Sequence, residues 1–241
     1  MHSYNARLKT RARITLQGRY GMFSGGCLLI LLISGVLETL PVSLLGQVPG
    51  AAGILLRLAL AFSISVFTSM LMVGLSRMAL LACRGQEITF ADLFYAFSTH
   101  SDRLLWVKTI LALITLVLEI PDFILTWLYL RETFTRPLYL ALTNAWGFLS
   151  VFLGCVLTMW FALSIYLLMD YESLSAGDSL KQSAALMRGR KGRYLYLRFS
   201  FLGMYLLGIL SLFIGFLWII PYQETALAQF YLEIQQEKQH A

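Results

Sequence analysis

Long apolar stretches alternate with short polar intervals along this 241-residue chain. Five of the stretches reach the roughly 20 residues that a helix needs to cross a bilayer, at about 21–41, 54–83, 104–130, 138–169 and 194–220. None has the period-two alternation of a membrane β-barrel strand. The pattern predicts an all-α protein, a polytopic transmembrane helical bundle of about five spans that forms a single membrane domain over residues 1–241.

The third stretch is interrupted by the run Glu119-Ile120-Pro121-Asp122. Proline removes a backbone donor and disfavours helical geometry in the residue before it. We therefore expect a kinked helix or a broken, partly re-entrant one near Pro121, and a broken third span would raise the count to six.

Two polar segments beside the spans have helical periodicity. In the basic N-terminal segment 1–19, Leu8, Ala12 and Leu16 recur at a spacing of four, which predicts a helix with an apolar stripe and cations on its other faces. Such a helix commonly lies in the headgroup layer, and a loose basic tail is the alternative. In the segment 173–193, Ser175 and Asp178 have the spacing of a capping box and predict a second amphipathic helix at the surface.

Composition supports hydrocarbon as the main solvent of these side chains. Hydrophobic residues make up 58% of the chain and charged residues 13%, and the mean hydropathy is +0.70, whereas soluble domains carry about 25% charged residues. The three cysteines lie far apart and the three histidines share no motif spacing. No disulfide framework, metal site or cofactor is therefore predicted.

The formal charge of +6 is unevenly distributed. Lysine and arginine concentrate in the N-terminal segment, in 77–108 and in 181–198. Such cations remain on the cytoplasmic side of spans, so we expect a multi-pass protein of the cytoplasmic membrane with a cytoplasmic N-terminus. Five crossings would place the C-terminal tail, 222–241, outside.

The cations of the two amphipathic segments are candidates for contact with anionic lipid headgroups. Each cation near such a surface contributes about 1 kcal/mol. The alternative is that they only determine topology and have no dedicated ligand. The candidates are Arg7, Lys9, Arg11, Arg13, Lys181, Arg188, Arg190, Lys191 and Arg193.

Four ionisable residues fall within the apolar stretches, toward the ends predicted to face outward. They are Glu38, Arg57, Glu119 and Asp122. Ionisable groups inside a membrane are costly and often mark pathways or ion pairs, so a vestibule for a cation, a proton or a polar solute is one interpretation. The other is that these side chains extend to the interface to reach water.

Several short motifs resemble one protein family. Near the N-terminus these are Leu8-Lys9 and Ala12-Arg13, and the middle of the chain has Leu93-Phe94. The C-terminal third has Leu174-Ser175-Ala176, the run from Ser183 through Arg188-Gly189-Arg190-Lys191, Leu217-Trp218, Pro221-Tyr222 and Phe230-Tyr231. Together they resemble the bacterial integral membrane proteins grouped as domain of unknown function family 975. The resemblance implies a bacterial cytoplasmic-membrane protein and carries no known activity.

The chain has no nucleophile–base signature, no phosphate-binding loop and no convergent polar site. We therefore expect a non-enzymatic membrane protein that interacts with anionic lipids, with a membrane-protein partner or with further copies of itself, and not with nucleic acid. The alternative is a small transporter or channel-like protein that uses the four outward charges.

Overall fold

The computed structural model describes residues 2–45, 50–98 and 101–239, and this part of the chain is helical without any strand. The all-α prediction is confirmed for these residues. The helices are α1 His2–Leu16, α2 Tyr20–Leu45, α3 Gly50–Cys83, a 3₁₀ helix Phe90–Phe94, α4 Tyr95–Ser98, α5 Ser101–Leu130, α6 Arg136–Met159, α7 Ser164–Asp170, α8 Ala176–Leu186, α9 Lys191–Phe199, α10 Leu202–Leu210 and α11 Phe216–Gln239.

Four helical stretches are long and apolar enough to cross a membrane. They are Tyr20–Leu40, Leu55–Cys83, Asp102–Leu130 and Arg136–Asp170. Their side chains are largely unburied along the apolar parts, as in helices that face lipid. These four correspond to the first four predicted spans.

Helix α5 continues through Pro121 without interruption, so of the two alternatives for the third span the broken helix is wrong, and with it the reason for a count of six. Proline removes one helical hydrogen bond. The carbonyl that loses its donor is that of Val117, four residues before Pro121. In the same turn a neighbouring helix adds a donor, because the Trp146 indole of α6 donates to the Leu118 carbonyl at 3.0 Å, and neighbouring helices help a helix in an apolar medium to tolerate proline.

The fifth predicted span, 194–220, is not a single helix, and that prediction is wrong. Helix α9 ends at Phe199, α10 covers Leu202–Leu210, and a turn at 211–215 precedes α11. Leu212 and Phe213 have φ values of 52° and 69°, which a right-handed helix does not allow. The chain therefore reverses at this turn.

The buried core lies at one end of the bundle. The beginning of α2, the end of α3, the beginning of α5 and α7 meet there, and α1, α8, α9 and the second half of α11 pack onto them. Since α1 and α11 pack side by side, both termini lie at this end. The expectation of five crossings with the C-terminus on the opposite side does not fit this packing.

Candidate functional site: the basic end of the bundle

We call the end of the bundle formed by α1, α8, α9 and the second half of α11 the basic end. On α1, Leu8, Ala12 and Leu16 are 1%, 0% and 0% exposed because they pack into the core. The predicted helix is present, but its apolar stripe faces protein and is not available to lie in the headgroup layer. Arg7, Arg11 and Arg13 occupy its exposed side.

Lys9, on the same helix, points inward. Its Nζ donates to the Ser200 carbonyl at 2.8 Å and lies 4.4 Å from the centroid of the Phe201 ring. Burial lowers the pKa of Lys9, since an apolar environment disfavours its charged form. Lys9 therefore joins α1 to the turn after α9.

The predicted cap of the second amphipathic helix is confirmed. The Ser175 Oγ accepts a 3.1 Å hydrogen bond from the Asp178 amide and donates a 2.7 Å bond to its carboxylate. Helix α8 ends at Leu186, and Gly189, at φ +74°, forms the tight turn that leads into α9. The basic run from Arg188 to Arg193 is thus a corner between two helices.

Two arginines of this corner bind the C-terminal helix. The Arg190 Nε and Arg193 Nη1 atoms lie 2.9 and 2.7 Å from the Glu237 carboxylate oxygens. Hydrogen bonds from Arg193 and Arg190 lower the pKa of Glu237 to about 2. Lys191 lies over the Trp160 ring, with its Nζ 3.0 Å from the centroid.

The nine predicted lipid-contact cations therefore divide into two groups. Lys9, Arg190, Lys191 and Arg193 are half-buried in contacts within the protein. The others are exposed at the basic end, namely Arg7, Arg11, Arg13, Lys181 and Arg188.

A hydrogen-bonded network joins α11 to the ends of two spans. The Asp170 Oδ2 accepts a 2.6 Å bond from the Tyr231 hydroxyl and a 2.7 Å bond from Arg84, which follows α3. Gln235 Nε2 donates to the Tyr231 oxygen at 3.0 Å. Burial, and then the bond to Asp170, raises the pKa of Tyr231, so its hydroxyl remains a donor at neutral pH.

Beside this network, Arg103 stabilises the loop between α7 and α8. Its Nη1 donates to the carbonyls of Tyr171 at 3.3 Å and Leu174 at 2.9 Å, and to that of Glu172. The loop carbonyls, which have no helical hydrogen bonds, thereby gain a donor.

A second polar cluster surrounds Glu224 of α11. The Ser76 hydroxyl of α3 donates to its Oε2 at 2.7 Å. Lys108 of α5 and Arg198 of α9 interact electrostatically with Glu224, and Arg198 donates a hydrogen bond to the Tyr194 hydroxyl. Opposite charges partly offset the cost of removing each from water, so Glu224 compensates part of the positive charge that Lys108 and Arg198 bring between four helices.

The four outward charges are not gathered into one site. Glu38, Glu119 and Asp122 are exposed, while Arg57 is half-buried and its Nε donates to the Gly53 carbonyl at 3.3 Å. Glu38 borders a cavity of about 340 Å³ between α2 and α3, lined also by Ser65, Thr68 and Ser69.

Three cavities beside α5 have a different character. Apolar side chains line all three, and neither Glu119 nor Asp122 is among their lining residues. The polar vestibule expected at these two carboxylates is not formed by these cavities.

Sequence reasoning missed Glu224, Lys108 and Arg84 as members of polar clusters. A usable signal was present, because residues 199–223 carry no charge and Glu224 follows them directly. Among the described residues, no group of three or more His, Cys, Asp or Glu side chains is arranged to hold a metal ion. The clusters contain hydrogen-bonded ion pairs and tyrosines, an arrangement that joins helices.

Four apolar helices of spanning length, joined at one end by a polar and basic layer, define a fold compatible with a helical membrane protein. The chain belongs to the DUF975 family, described as a protein of unknown function, whose family model matches residues 1–238. The family resemblance carried by the short motifs is thereby confirmed. No curated protein and no solved structure matches the chain.

Proposed function

We propose that this protein is a non-enzymatic component of the bacterial cytoplasmic membrane that binds anionic lipid headgroups at the basic end. One observation carries the proposal: α1 buries Leu8, Ala12 and Leu16 in the protein and leaves Arg7 and Arg11 exposed. These cations are held on a packed helix beside the spans, so binding to headgroups does not have to order the backbone that carries them.

The α8–α9 corner adds cations to the same end. Lys181 and Arg188 are exposed there, whereas Arg190 and Arg193 are partly neutralised by Glu237. Each exposed cation near an anionic surface contributes about 1 kcal/mol. Salt screens this attraction, with a Debye length of about 10 Å at 0.1 M.

The test uses the full chain in bilayers of mixed anionic and zwitterionic phospholipid. The lipids that remain with the protein after mild detergent extraction are quantified by mass spectrometry at low and raised salt. Replacing Arg7, Arg11, Lys181 and Arg188 together by glutamine is expected to reduce strongly the enrichment of anionic lipid seen with the unchanged protein, since of the five exposed cations only Arg13 remains. Raised salt is expected to reduce that enrichment.

A matched control exists at the other end of the bundle. Arg131 and Arg136 are exposed in the α5–α6 connection, so their double replacement by glutamine removes cations without touching the basic end. It is expected to leave the enrichment unchanged. Equal enrichment in the fourfold variant and the unchanged protein would show that the basic end has no preference for anionic lipid.

A second candidate, a small transporter, is favoured by the cavity at Glu38, where a carboxylate and three hydroxyl side chains meet within a helix pair of spanning length. Proton and cation flux into proteoliposomes tests it. Loss of flux in Glu38→Gln, but not in Asp122→Asn, supports this candidate. Absence of flux with the unchanged protein rejects it.

A further inference from the structure

The segment between α9 and the second half of α11 carries a large exposed apolar surface. Residues 199–223 contain no charged side chain, and Leu210 and Leu212 expose 79% and 82% of their surface. Leu206, Leu207 and Phe213 are each 64% exposed. Such a patch is rare on a surface that faces water, so an apolar medium must cover it.

The backbone of the turn is suited to a medium without water. Every amide from Ser211 to Ile219 donates to an acceptor inside the chain, with Gly215 donating to the Ser211 hydroxyl at 2.8 Å and the others to carbonyls. Hydrocarbon offers no acceptor, and irregular backbone there must satisfy its own polar groups. This turn does so for its amides.

The side chains at the tip also favour hydrocarbon. Leu212 and Phe213 adopt left-handed backbone conformations, which cost an L-residue about 1–2 kcal/mol. Glycine or asparagine occupies such positions at little cost in turns that face water. Leu212 and Phe213 are therefore held in an unfavourable backbone conformation, and in return the tip of the turn is apolar.

Two glycines close the hairpin. A Cβ added to Gly215 would lie 3.0 Å from the Gly208 Cα and 2.6 Å from the Ser211 Oγ. The Tyr205 and Phe216 rings meet one turn further along, with centroids 5.8 Å apart. Helix α10 and the beginning of α11 are therefore in direct contact, and the chain returns on itself.

Contacts with α2 set the direction of the hairpin. Gln229, in the second half of α11, donates to the Thr15 hydroxyl just before α2 at 3.4 Å, while Leu217, nearer to the tip, accepts a 3.1 Å hydrogen bond from Ser24 one turn into α2. The hairpin and the first candidate span thus extend the same way from the basic end. Nine residues from Tyr222 to the tip rise about 13 Å, less than half of a hydrocarbon core of roughly 30 Å.

We propose that residues 201–222 form a re-entrant helical hairpin that inserts into the acyl chains of a single leaflet, the one next to the basic end. Acyl chains fit better than a protein partner, because protein interfaces have a polar rim and this segment has no charge to form one. The hairpin does not depend on the lipid preference of the cations.

The test places a bimane fluorophore on Leu212→Cys or Leu210→Cys in the full chain, reconstituted in bilayers with nitroxide lipids quenching at shallow or deep positions. Gln182→Cys, on the exposed side of α8, is the control in water, and Leu32→Cys in α2 is the control in lipid. The unchanged protein, labelled in the same way, gives the background fluorescence from the native cysteines Cys27, Cys83 and Cys155. We expect the deep quencher to reduce fluorescence at 210 and 212, as at 32, and not at 182, which lies beside Lys181 at the basic end.

A second measurement determines from which side of the membrane each position can be labelled. A membrane-impermeant maleimide is expected to reach Gln182→Cys and Gln236→Cys from the same side and to leave 210 and 212 unlabelled from both. Three results would overturn the proposal: labelling of 210 and 212 in water, labelling of 236 from the side opposite 182, or disulfide formation between two Leu212→Cys copies, which would assign the patch to a dimer.

Discussion

Tyr231 of the last helix donates a 2.6 Å hydrogen bond to Asp170 at the end of the fourth candidate span. The two rings Tyr231 and Tyr166 also stack, with centroids 5.2 Å apart. A partly buried hydroxyl–carboxylate bond and a stacked pair of rings thus hold α11 against the spans. Removing this hydrogen bond by mutation measures how much it contributes to the stability of the packing between the basic end and the spans.

Tyr231→Phe is expected to destabilise the protein while leaving its shape intact. The change removes the hydroxyl from Asp170, and hydrogen bonds to charged groups contribute about 1.5–3 kcal/mol. The measurement is the midpoint of thermal unfolding in detergent, with Tyr171→Phe, an exposed tyrosine, as control. Asp170→Asn and the double variant complete a cycle, and additive effects would contradict coupling between the two side chains.

The stabilisation from Glu237 is expected to depend on pH. Its pKa in the folded protein is about 2, against 4.5 for the unperturbed group, so the folded state favours the ionised carboxylate. The contribution is therefore complete above about pH 4.5 and is lost as pH falls toward 2. We expect the difference in unfolding midpoint between the unchanged protein and Glu237→Gln to narrow across this window.

Glu172→Gln, at an exposed carboxylate in the loop before α8, is the control for that experiment and is expected to leave the midpoint nearly unchanged at every pH. A gap between the unchanged protein and Glu237→Gln that stayed constant down to pH 3 would mean that the ion pairs with Arg190 and Arg193 do not stabilise the fold.

Gly74→Ala is expected to disrupt the packing of α3 against the 3₁₀ helix. A Cβ at this position would lie 1.8 Å from the Leu93 carbonyl oxygen, and backbone atoms cannot move away as a side chain can. Overpacking a core typically costs about 1–3 kcal/mol and occasionally more. Gly147→Ala, where a Cβ meets nothing within 4 Å, should be neutral or stabilising in its helix; folded yield and unfolding midpoints compare the two.

Ser183→Ala is expected to weaken the joint between α6 and α7. The Ser183 Oγ donates to the Trp160 carbonyl at 2.9 Å and accepts from the Leu163 amide at 3.1 Å, across a break where helical bonds are missing. A buried polar group left without a partner costs about 1–3 kcal/mol. Ser179→Ala is the matched control, because Ser179 is equally buried but bonds within its own helix; equal losses in the two variants would contradict a special role for Ser183.

Some features followed from local pattern alone. The lengths of the apolar stretches predicted about five spans, and four of these are helical stretches long enough to cross a bilayer. The spacing of Ser175 and Asp178 predicted a cap that the structure confirms. Both depend on residues close together in the sequence. The helical period of Leu8, Ala12 and Leu16 likewise predicted α1, although it could not tell whether protein or lipid would cover the stripe.

The sequence by itself determined which stretches are apolar and helical and where cations concentrate, because these properties belong to runs of neighbouring residues. Only the tertiary structure decided that the apolar run 194–220 turns back, since a segment that crosses a membrane and one that reverses within it can have the same composition. The reversal depends on the turn at Leu212 and on the contact of Gly208 with Gly215. It also decided which cations are engaged, because Glu237 reaches Arg190 and Arg193 across more than forty residues of chain.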